Sequence, residues 1–512
     1  MFSPSPRHAL VLRSLLACAS GAVMVLGFAP FGWYPFVLIG LLGFLAALSG
    51  ASPRIGLLVG WLFGVGLMGF GVFWIRISLN EFGNMDTWVA HLLTGVFVSA
   101  IALFFGLLGW MVRRLDRGPA WLVPLLVFPG LYLLVEWLRG WLFTGFPWLS
   151  LGYTQIDGPL GGFAPILGVY GVGLLILLSA GLLWGLLHWS GRGRVAAAAV
   201  LVLVWGGGML LKQVSWTAPS GPSFRAVVVQ ASIPQAMKWD PDLLVSTMEI
   251  YWELTERNLD ADLVVWPETA IPDFLHRVRD VLIEPMAARA REEGTEIVLG
   301  IPVMDSDTGR HFNALLSLGS REDLYAKRHL VPFGEFMPFK AWLGPLVDLF
   351  EVPMSDFSRG SSERPLLAVG DRLAGVSICY EDAFPAEVSQ AMPEAEFLIN
   401  VSNDAWFGDS LAPHQHLEMA RMRALENGRY LLRATNTGIS AIVDQRGLVL
   451  GTVPAFVRGD FAAQVRPYSG ATPYVRFGNA PAIGLAAVMV LLAVGWVFLL
   501  RASSRSDVAR SR

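Results

Sequence analysis

The sequence predicts two architectures in one chain: an α-helical membrane domain of about eight transmembrane helices and a separate α/β domain. Three observations lead there. Of 512 residues, 54% are hydrophobic and 15% charged, with a mean hydropathy of +0.52, too apolar and too poor in charge for a soluble chain of this length. Apolar runs of about 18 to 25 residues, each long enough to cross roughly 30 Å of hydrocarbon as a helix, follow one another from Leu10 to Leu211 and recur once at the carboxy end. Between them, from about Ser215 to Gly478, the composition reverses: Asp, Glu, Asn and Pro enter, and β-rich runs alternate with helical ones.

Seven amino-terminal runs lie near Ala9 to Phe28, Tyr34 to Leu48, Ile55 to Ile75, Val89 to Val112, Ala120 to Leu138, Gly161 to His188 and Val195 to Leu211; an eighth is Ala480 to Leu500. The second is short. The first lacks a small-residue cleavage site and is followed at once by further spans, so it reads as a retained helix rather than a secretory signal. Arg7, Arg13, Arg54, Arg113, Arg114, Arg117, Arg192, Arg194, Arg501, Arg505, Arg510 and Arg512 fall at alternate ends of the spans, which predicts both termini on the cytoplasmic side. An odd number of crossings before Lys212 then sets the polar region on the opposite side, which in a bacterium is the periplasm. The expected division is 1–214 for seven helices, 215–478 for an extracytoplasmic domain, and 479–512 for the last helix and a cytoplasmic tail.

Within 215–478, strands are expected at Ala226 to Gln230, Leu263 to Trp266, Ile297 to Gly300, Ala314 to Leu318, Leu373 to Ile378, Phe397 to Val401 and Ile439 to Val443. A helix from Pro241 to about Leu259 has Asp240 as its N-cap and Pro241 at its first position, with Leu244, Met248 and Tyr251 on one face. Another runs from Pro413 to Glu426 and stops at Gly428.

Several function classes fall away. A net charge of -3 without a concentrated basic face gives no nucleic-acid footprint. Two cysteines, Cys18 in the first apolar run and Cys379 in the polar domain, make no disulfide framework. No paired broken helices or mid-membrane clusters of ionisable groups suggest a transporter. His414 and His416 form an HxH pair without further ligands nearby, and read as capping or packing groups rather than a metal site. No metal, nucleotide or flavin is required.

Three segments place reactive side chains just past predicted strand ends, where α/β folds assemble their sites: LVVWPETAIP with Glu268, YAKRHLVPFGEFMP with Lys327 and Glu335, and GVSICYEDAFP with Cys379 and Glu381. Singly, each has a structural explanation: a turn cap, a solvated charge, a small residue filling a strand end. Together, Glu, Lys and Cys in that order after apolar β runs resemble the nitrilase superfamily, which implies an αββα sandwich. LVPFGEFMP, the stretch NVSNDAWFGDSLAPHQHLEMARMRALENGRYLLRATNTGIS, and the amino-terminal FAPFGWYP and TGFPWL narrow the resemblance to the apolipoprotein N-acyltransferases over nearly the whole chain. In QASIPQAMKW, Ser232 stands where that family is expected to have Asn.

The resemblance implies a catalytic triad of Glu268, Lys327 and Cys379, supported by Glu335 and Glu381, with Trp239, Tyr380 and Trp148 touching substrate. It also implies a glycerophospholipid acyl donor, a diacylated apolipoprotein acceptor, residence in the bacterial inner membrane, and a monomer. What the residues can do agrees with this. A free thiol is only a few per cent ionised at neutral pH; Glu268 can take its proton as general base, and Lys327 can hold the oxyanion that forms at the attacked carbonyl. The alternative is a membrane-anchored carbon-nitrogen hydrolase that uses the same triad with water as second nucleophile.

Extracting an acyl chain into water costs about 0.8 kcal/mol per methylene, so the site should open toward the bilayer. Phe28 to Pro35 and Thr144 to Tyr153 suit the interface. Glu136 and Arg139, at i and i+3, are expected to line a portal or to pair with each other. The loops Met337 to Phe350 and Asp404 to Pro413 are expected to be arms that dip toward the membrane.

Overall fold

The computed structural model describes residues 6–337 and 357–510. The chain separates into two compact units, one of Met1–Phe73, His91–Val214 and Phe477–Arg512, the other of Trp74–Ala90 and Ser215–Arg476.

In the helical unit every predicted apolar run is helical. Among the described residues, however, six helices rather than eight are long and apolar enough to cross a membrane: Arg7–Gly27, Pro53–Gly71, Thr87–Leu115, Pro159–His188, Gly191–Leu211 and Ala480–Leu500. Pro35–Leu48 has 14 residues, about 21 Å at 1.5 Å per residue. The run predicted from Ala120 becomes a five-residue π turn, Val123–Val127, and a 12-residue helix, Phe128–Arg139, that carries two charges. Helices approach closely through small residues, as in other membrane bundles. A Cβ on Gly60 would stand 2.1 Å from the Phe105 carbonyl oxygen, and one on Gly109 would stand 2.1 Å from that of Gly56.

Glu136 and Arg139 are both buried, yet they do not form the expected direct pair. Arg139 Nη1 donates to the carbonyls of Phe146 (2.6 Å) and Trp148 (2.7 Å), while Glu136 accepts from the Leu151 amide at 3.2 Å. Both side chains thus hold the irregular Phe146–Leu151 backbone, whose buried polar groups need protein partners.

Beside a short pairing of Ala218–Pro219 with Tyr468–Ser469, the described residues of the second unit form two six-stranded sheets. The strands are β1 (Phe224–Gln230), β2 (Leu263–Val265), β3 (Glu296–Met304), β4 (His311–Leu318), β5 (Asp323–Ala326), β6 (Leu366–Val369), β7 (Arg372–Ile378), β8 (Phe397–Ser402), β9 (Leu431–Thr435), β10 (Ser440–Val443), β11 (Val449–Val453) and β12 (Gly459–Val465). One sheet runs β12-β1-β2-β3-β4-β5 and the other β11-β10-β9-β8-β7-β6. β1, β2 and β3 are mutually parallel, as are β7, β8 and β9.

Strand alternation divides the apolar residues between layers. Ala226 and Val228 of β1 face Val376, Ile399 and Leu432 of the opposite sheet. Val227 and Val229 face outward, against Met248 and Tyr251 of helix Leu244–Glu256 and Met286 of helix Glu284–Glu293. On the far side, Leu398 and Ala441 pack on Ala420 and Ala424 of helix Ala412–Asn427. The stack is α-β-β-α, and all seven predicted strands are present. Asp240 caps as expected, accepting from the Asp242 amide at 3.0 Å, although the first turn, Pro241–Leu243, is 3₁₀. The second helix stops at Gly428 in the left-handed conformation (φ 63°).

Trp74–Ala90, which takes in the expected connection between two membrane spans and one or two residues of each span, clusters with this unit. Trp74 Nε1 donates to Gln415 Oε1 at 3.2 Å and its ring meets Phe407 edge-on at 4.6 Å; Ser78 Oγ donates to the Trp406 carbonyl at 2.6 Å, and Phe82 packs on Trp406. The start of the expected arm Asp404 to Pro413 is therefore a covered turn, with Asp404 and Ala405 buried. Most of the other expected arm, Met337 to Phe350, lies outside the described residues.

Candidate active site

β7 ends at Ile378, and the next residue, Cys379, adopts φ +51° before a 3₁₀ turn, Cys379–Ala383. A left-handed conformation in a residue with a Cβ is strained, and persists here because its surroundings hold it. Glu381 reaches back to accept from the Ile378 amide (2.8 Å) through one carboxylate oxygen. Through the other it accepts from the Arg328 amide (2.7 Å), the His329 amide (3.1 Å) and the Tyr325 hydroxyl (2.9 Å). Glu381 thus ties the cysteine elbow to the segment that follows β5. Burial pushes its carboxyl above the usual range, against the pull of these amides.

Glu268 follows β2 after Trp266 and Pro267. Trp266 is locked between the Tyr251 ring, stacked at 4.8 Å, and the Thr255 hydroxyl, which accepts from its indole N–H at 2.8 Å. Gly300 of β3 lies under this turn; a Cβ there would stand 2.4 Å from the Thr269 nitrogen, 2.5 Å from the Pro267 oxygen and 2.7 Å from Glu268 Cα. The Glu268 carboxylate accepts from Asn313 Nδ2 (2.7 Å) and Lys327 Nζ (3.5 Å) at one oxygen, and from the Asn403 amide (2.8 Å) at the other.

Lys327, first after β5, is 1% exposed and also donates to Glu335 Oε1 at 2.8 Å. Glu335 accepts in addition from Asn313 Nδ2 (3.1 Å) and the Val331 amide (2.8 Å). Burial alone would lower the Lys327 ammonium, but Glu335 and Glu268 outweigh it and hold its pKa well above the usual lysine value. Lys327 is therefore a fixed positive charge. Burial pushes the half-buried Cys379 thiol up, and Glu268 pushes it further; Lys327 and the hydrogen-bonding Ser402 hydroxyl oppose them. The thiol keeps its proton, with a carboxylate acceptor and a cation acting on it from the same cluster.

Glu268, Lys327, Cys379, Glu335 and Glu381 are thus brought together. Trp239 is 37% exposed, while Tyr380 is buried with its ring edge-on to Phe384 and His329. Trp148 belongs to the helical unit, buried and stacked on Phe146. Ser232 adopts φ +56°, a conformation that Asn tolerates better than Ser, which accounts physically for the Asn expected there.

Sequence reasoning missed three contributors. Asn313 bridges the two carboxylates from inside β4, where a polar residue in an apolar strand was the available signal. Lys238 is 3% exposed and donates from Nζ to the Glu268 carbonyl at 3.0 Å; its only mark in the sequence is its place beside Trp239. His416 does more than pack: Nδ1 lies 2.8 Å from Asp404, and Nε2 lies 2.9 Å from Asp382 and 3.3 Å from the Cys379 carbonyl. Arg433 Nη2 donates to Asp404 at 2.9 Å, and Nη1 contacts Asp382 and Asn400.

An α-β-β-α stack carrying a cysteine, a glutamate and a lysine at its strand ends places the second unit among the carbon-nitrogen hydrolases, and the Carbon-nitrogen hydrolase family model matches residues 225–473. Residues 20–182 match the model for the apolipoprotein N-acyltransferase N-terminal domain. Across 479 residues the chain is 43% identical to the apolipoprotein N-acyltransferase of Methylococcus capsulatus, covering 93% of this chain and 94% of that one. Identity to the enzyme of the same name from Nitrosomonas europaea is 41% over 490 residues, 94% of this chain and 96% of the other. Among solved structures, a branch 10 nitrilase-superfamily member from Saccharomyces cerevisiae overlaps 49% of this chain and 93% of its own, with 21% identity and a TM-score of 0.36. The chain belongs to the apolipoprotein N-acyltransferase family. It is a multi-pass membrane protein and an acyltransferase.

Proposed function

We propose that this chain transfers a fatty acyl group from a membrane glycerophospholipid, through a thioester on Cys379, to the amino-terminal amine of S-diacylglyceryl-cysteine in apolipoproteins. The observation that carries this reading is the buried Lys327, hydrogen-bonded to both Glu335 and Glu268 and acting with Glu268 on the charge of Cys379. In the first half-reaction Glu268 takes the thiol proton and sulfur bonds to the ester carbonyl carbon. Lys327 holds the resulting oxyanion, an electrostatic role that dominates most acyl transfers. On collapse the carbon-oxygen bond breaks, Glu268 returns the proton to the leaving glycerol oxygen, and a lysophospholipid departs.

In the second half-reaction the amine adds to the thioester carbonyl. Glu268 takes a proton from the new nitrogen substituent, the carbon-sulfur bond breaks, and the amide leaves while Glu268 reprotonates the thiolate. Glu335 fixes Lys327, and Glu381 fixes the elbow. Trp239, Tyr380 and Trp148 are assigned to substrate contact, with the exposed Trp239 the best supported by its accessibility.

The chain is placed in a bacterial inner membrane with the 215–478 domain periplasmic, both termini cytoplasmic, and the protein monomeric. Arg13 and Arg113 support that orientation, since both donate to carbonyls of the 47–51 turn and so mark one end of the helical unit. Intact mass spectrometry after incubation with phospholipid alone tests the reading. A hydroxylamine-labile adduct of fatty-acyl mass on the Cys379 peptide is expected, absent in Cys379→Ala; normal turnover by that variant refutes it. Free fatty acid in place of a fatty amide, when a diacylated peptide is supplied, would mark a hydrolase.

A further inference from the structure

The second half-reaction has one proton more than Glu268 can hold. An α-amine with a pKa of about 7.7–8.0 is mostly an ammonium at neutral pH, and it must lose a proton before its lone pair can attack. After attack the nitrogen must lose another, and that one is taken by Glu268 and passed to the departing thiolate. The first proton needs a different acceptor. Glu335 is not available, since its carboxylate already accepts from Lys327, Asn313 and the Val331 amide. Lys327 is held as a cation.

Building on the acyl-transfer reading above, we propose that Lys238 is a second proton acceptor of the site, whose amine takes the proton that the acceptor's ammonium sheds before it attacks the thioester. The geometry suits this. Lys238 is buried in the turn after Gln235–Met237, which is anchored to the site where Asn403 Nδ2 donates to Gln235 Oε1 at 2.7 Å. Its Nζ donates to the Glu268 main-chain oxygen at 3.0 Å, a neutral acceptor that leaves the amine free to exist uncharged. The adjacent Trp239 is exposed, so the segment borders solvent.

The titratable groups acting most on this amine are Glu268 and Cys379; Lys327 and Glu335 stand one hydrogen bond farther, on Glu268 and on each other. Burial lowers the Lys238 pKa to about 8, against the opposing pull of Glu268 and Cys379; a thioester on Cys379 carries no charge, so in the acylated protein Glu268 alone of the two opposes burial and the amine stays in or below the range of an α-ammonium. Proton transfer between groups of similar pKa near the working pH is efficient. The proton then leaves Lys238 to solvent, and no other co-reactant is needed.

The test separates the half-reactions in full-length protein. Cys379 is first loaded with phospholipid, then a synthetic diacylated lipopeptide is added and amide formation is followed from pH 6.5 to 9.5. Once loaded, Lys238→Met should transfer several-fold more slowly at pH 7, where most of the acceptor is an ammonium that has lost its proton acceptor in the site. The deficit should close by pH 9.5. Discharge by hydroxylamine, which is uncharged at neutral pH, should match the wild type. Lys238→Arg, which stays protonated, should behave like Lys238→Met. Wild-type transfer by Lys238→Arg overturns the proposal. So does a deficit in Lys238→Met that is equal at every pH and with hydroxylamine, and so does a failure of Lys238→Met to load. Absence of a thioester in the wild type sinks the acyl-transfer reading instead.

Discussion

The imidazole of His416 stands with Nε2 3.3 Å from the carbonyl oxygen of Cys379, so the residue proposed as the nucleophile is held from behind by a charged group. That ring lies between Asp382 and Asp404, and Arg433 closes the network. Burial would lower the pKa of His416, but the two carboxylates outweigh it and raise it to about 9.

A folded-state pKa raised above the unfolded value of about 6.5 makes a contribution to stability that is complete below pH 6.5 and is lost as pH rises through about 9. Thermal unfolding in detergent should therefore show a fall in stability between those values. His416→Gln should remove that slope. It should also lower stability by about 3–5 kcal/mol, because it strands two buried carboxylates beside a single arginine, and slow thioester formation by releasing the elbow.

Lys327→Met should reduce the rate of thioester formation by about 10²–10³-fold, the usual cost of losing an oxyanion donor. Lys327→Arg should not restore it, since a planar guanidinium does not reproduce a point charge set between Glu268 and Glu335. Single-turnover loading of Cys379 measures both.

Glu381→Gln turns an oxygen that accepts hydrogen bonds into a donor facing amide N–H groups. With four donors converging on this carboxylate, each group left unpaired costs about 1–3 kcal/mol. Tyr325→Phe removes only one of the four and should cost about 1 kcal/mol. Melting curves of the two variants should rank in that order.

Gly300→Ala should displace the Glu268 turn, because its methyl group would meet main-chain atoms rather than a movable side chain. Overpacking of this kind costs about 1–3 kcal/mol, and a shift of about 1 Å in the proposed general base costs about 10²-fold in rate. Acylation kinetics should fall far more than the melting temperature.

Much of this molecule was legible in the chain because its signals are local. The eight apolar runs, the seven strands, the Asp240 cap and the Gly428 stop each depend on residues within a few positions of one another. Strands β5, β6, β9, β11 and β12 were not legible. β9 follows directly on a helix and its cap and carries Arg433 at its centre, which breaks the apolar pattern although that side chain is fully buried. β12 reads GDFAAQV, with little β-branched character.

The same division holds for the site. The order of residues alone determined that Glu268 and Cys379 each sit just past an apolar strand, because strand ends are written in short-range patterning, whereas Lys327 was legible from its motif and not from β5, the strand it follows. Only the tertiary structure decided that Asn313 bridges two carboxylates, that Lys238 turns inward onto the Glu268 backbone, and that His416 reaches the Cys379 carbonyl. Each of those contacts joins residues 30 or more positions apart, or spans two elements as Asn313 does with Glu335. The physical reason is that a polar side chain looks the same in a sequence whether water or a buried partner satisfies it, and only chain packing determines which.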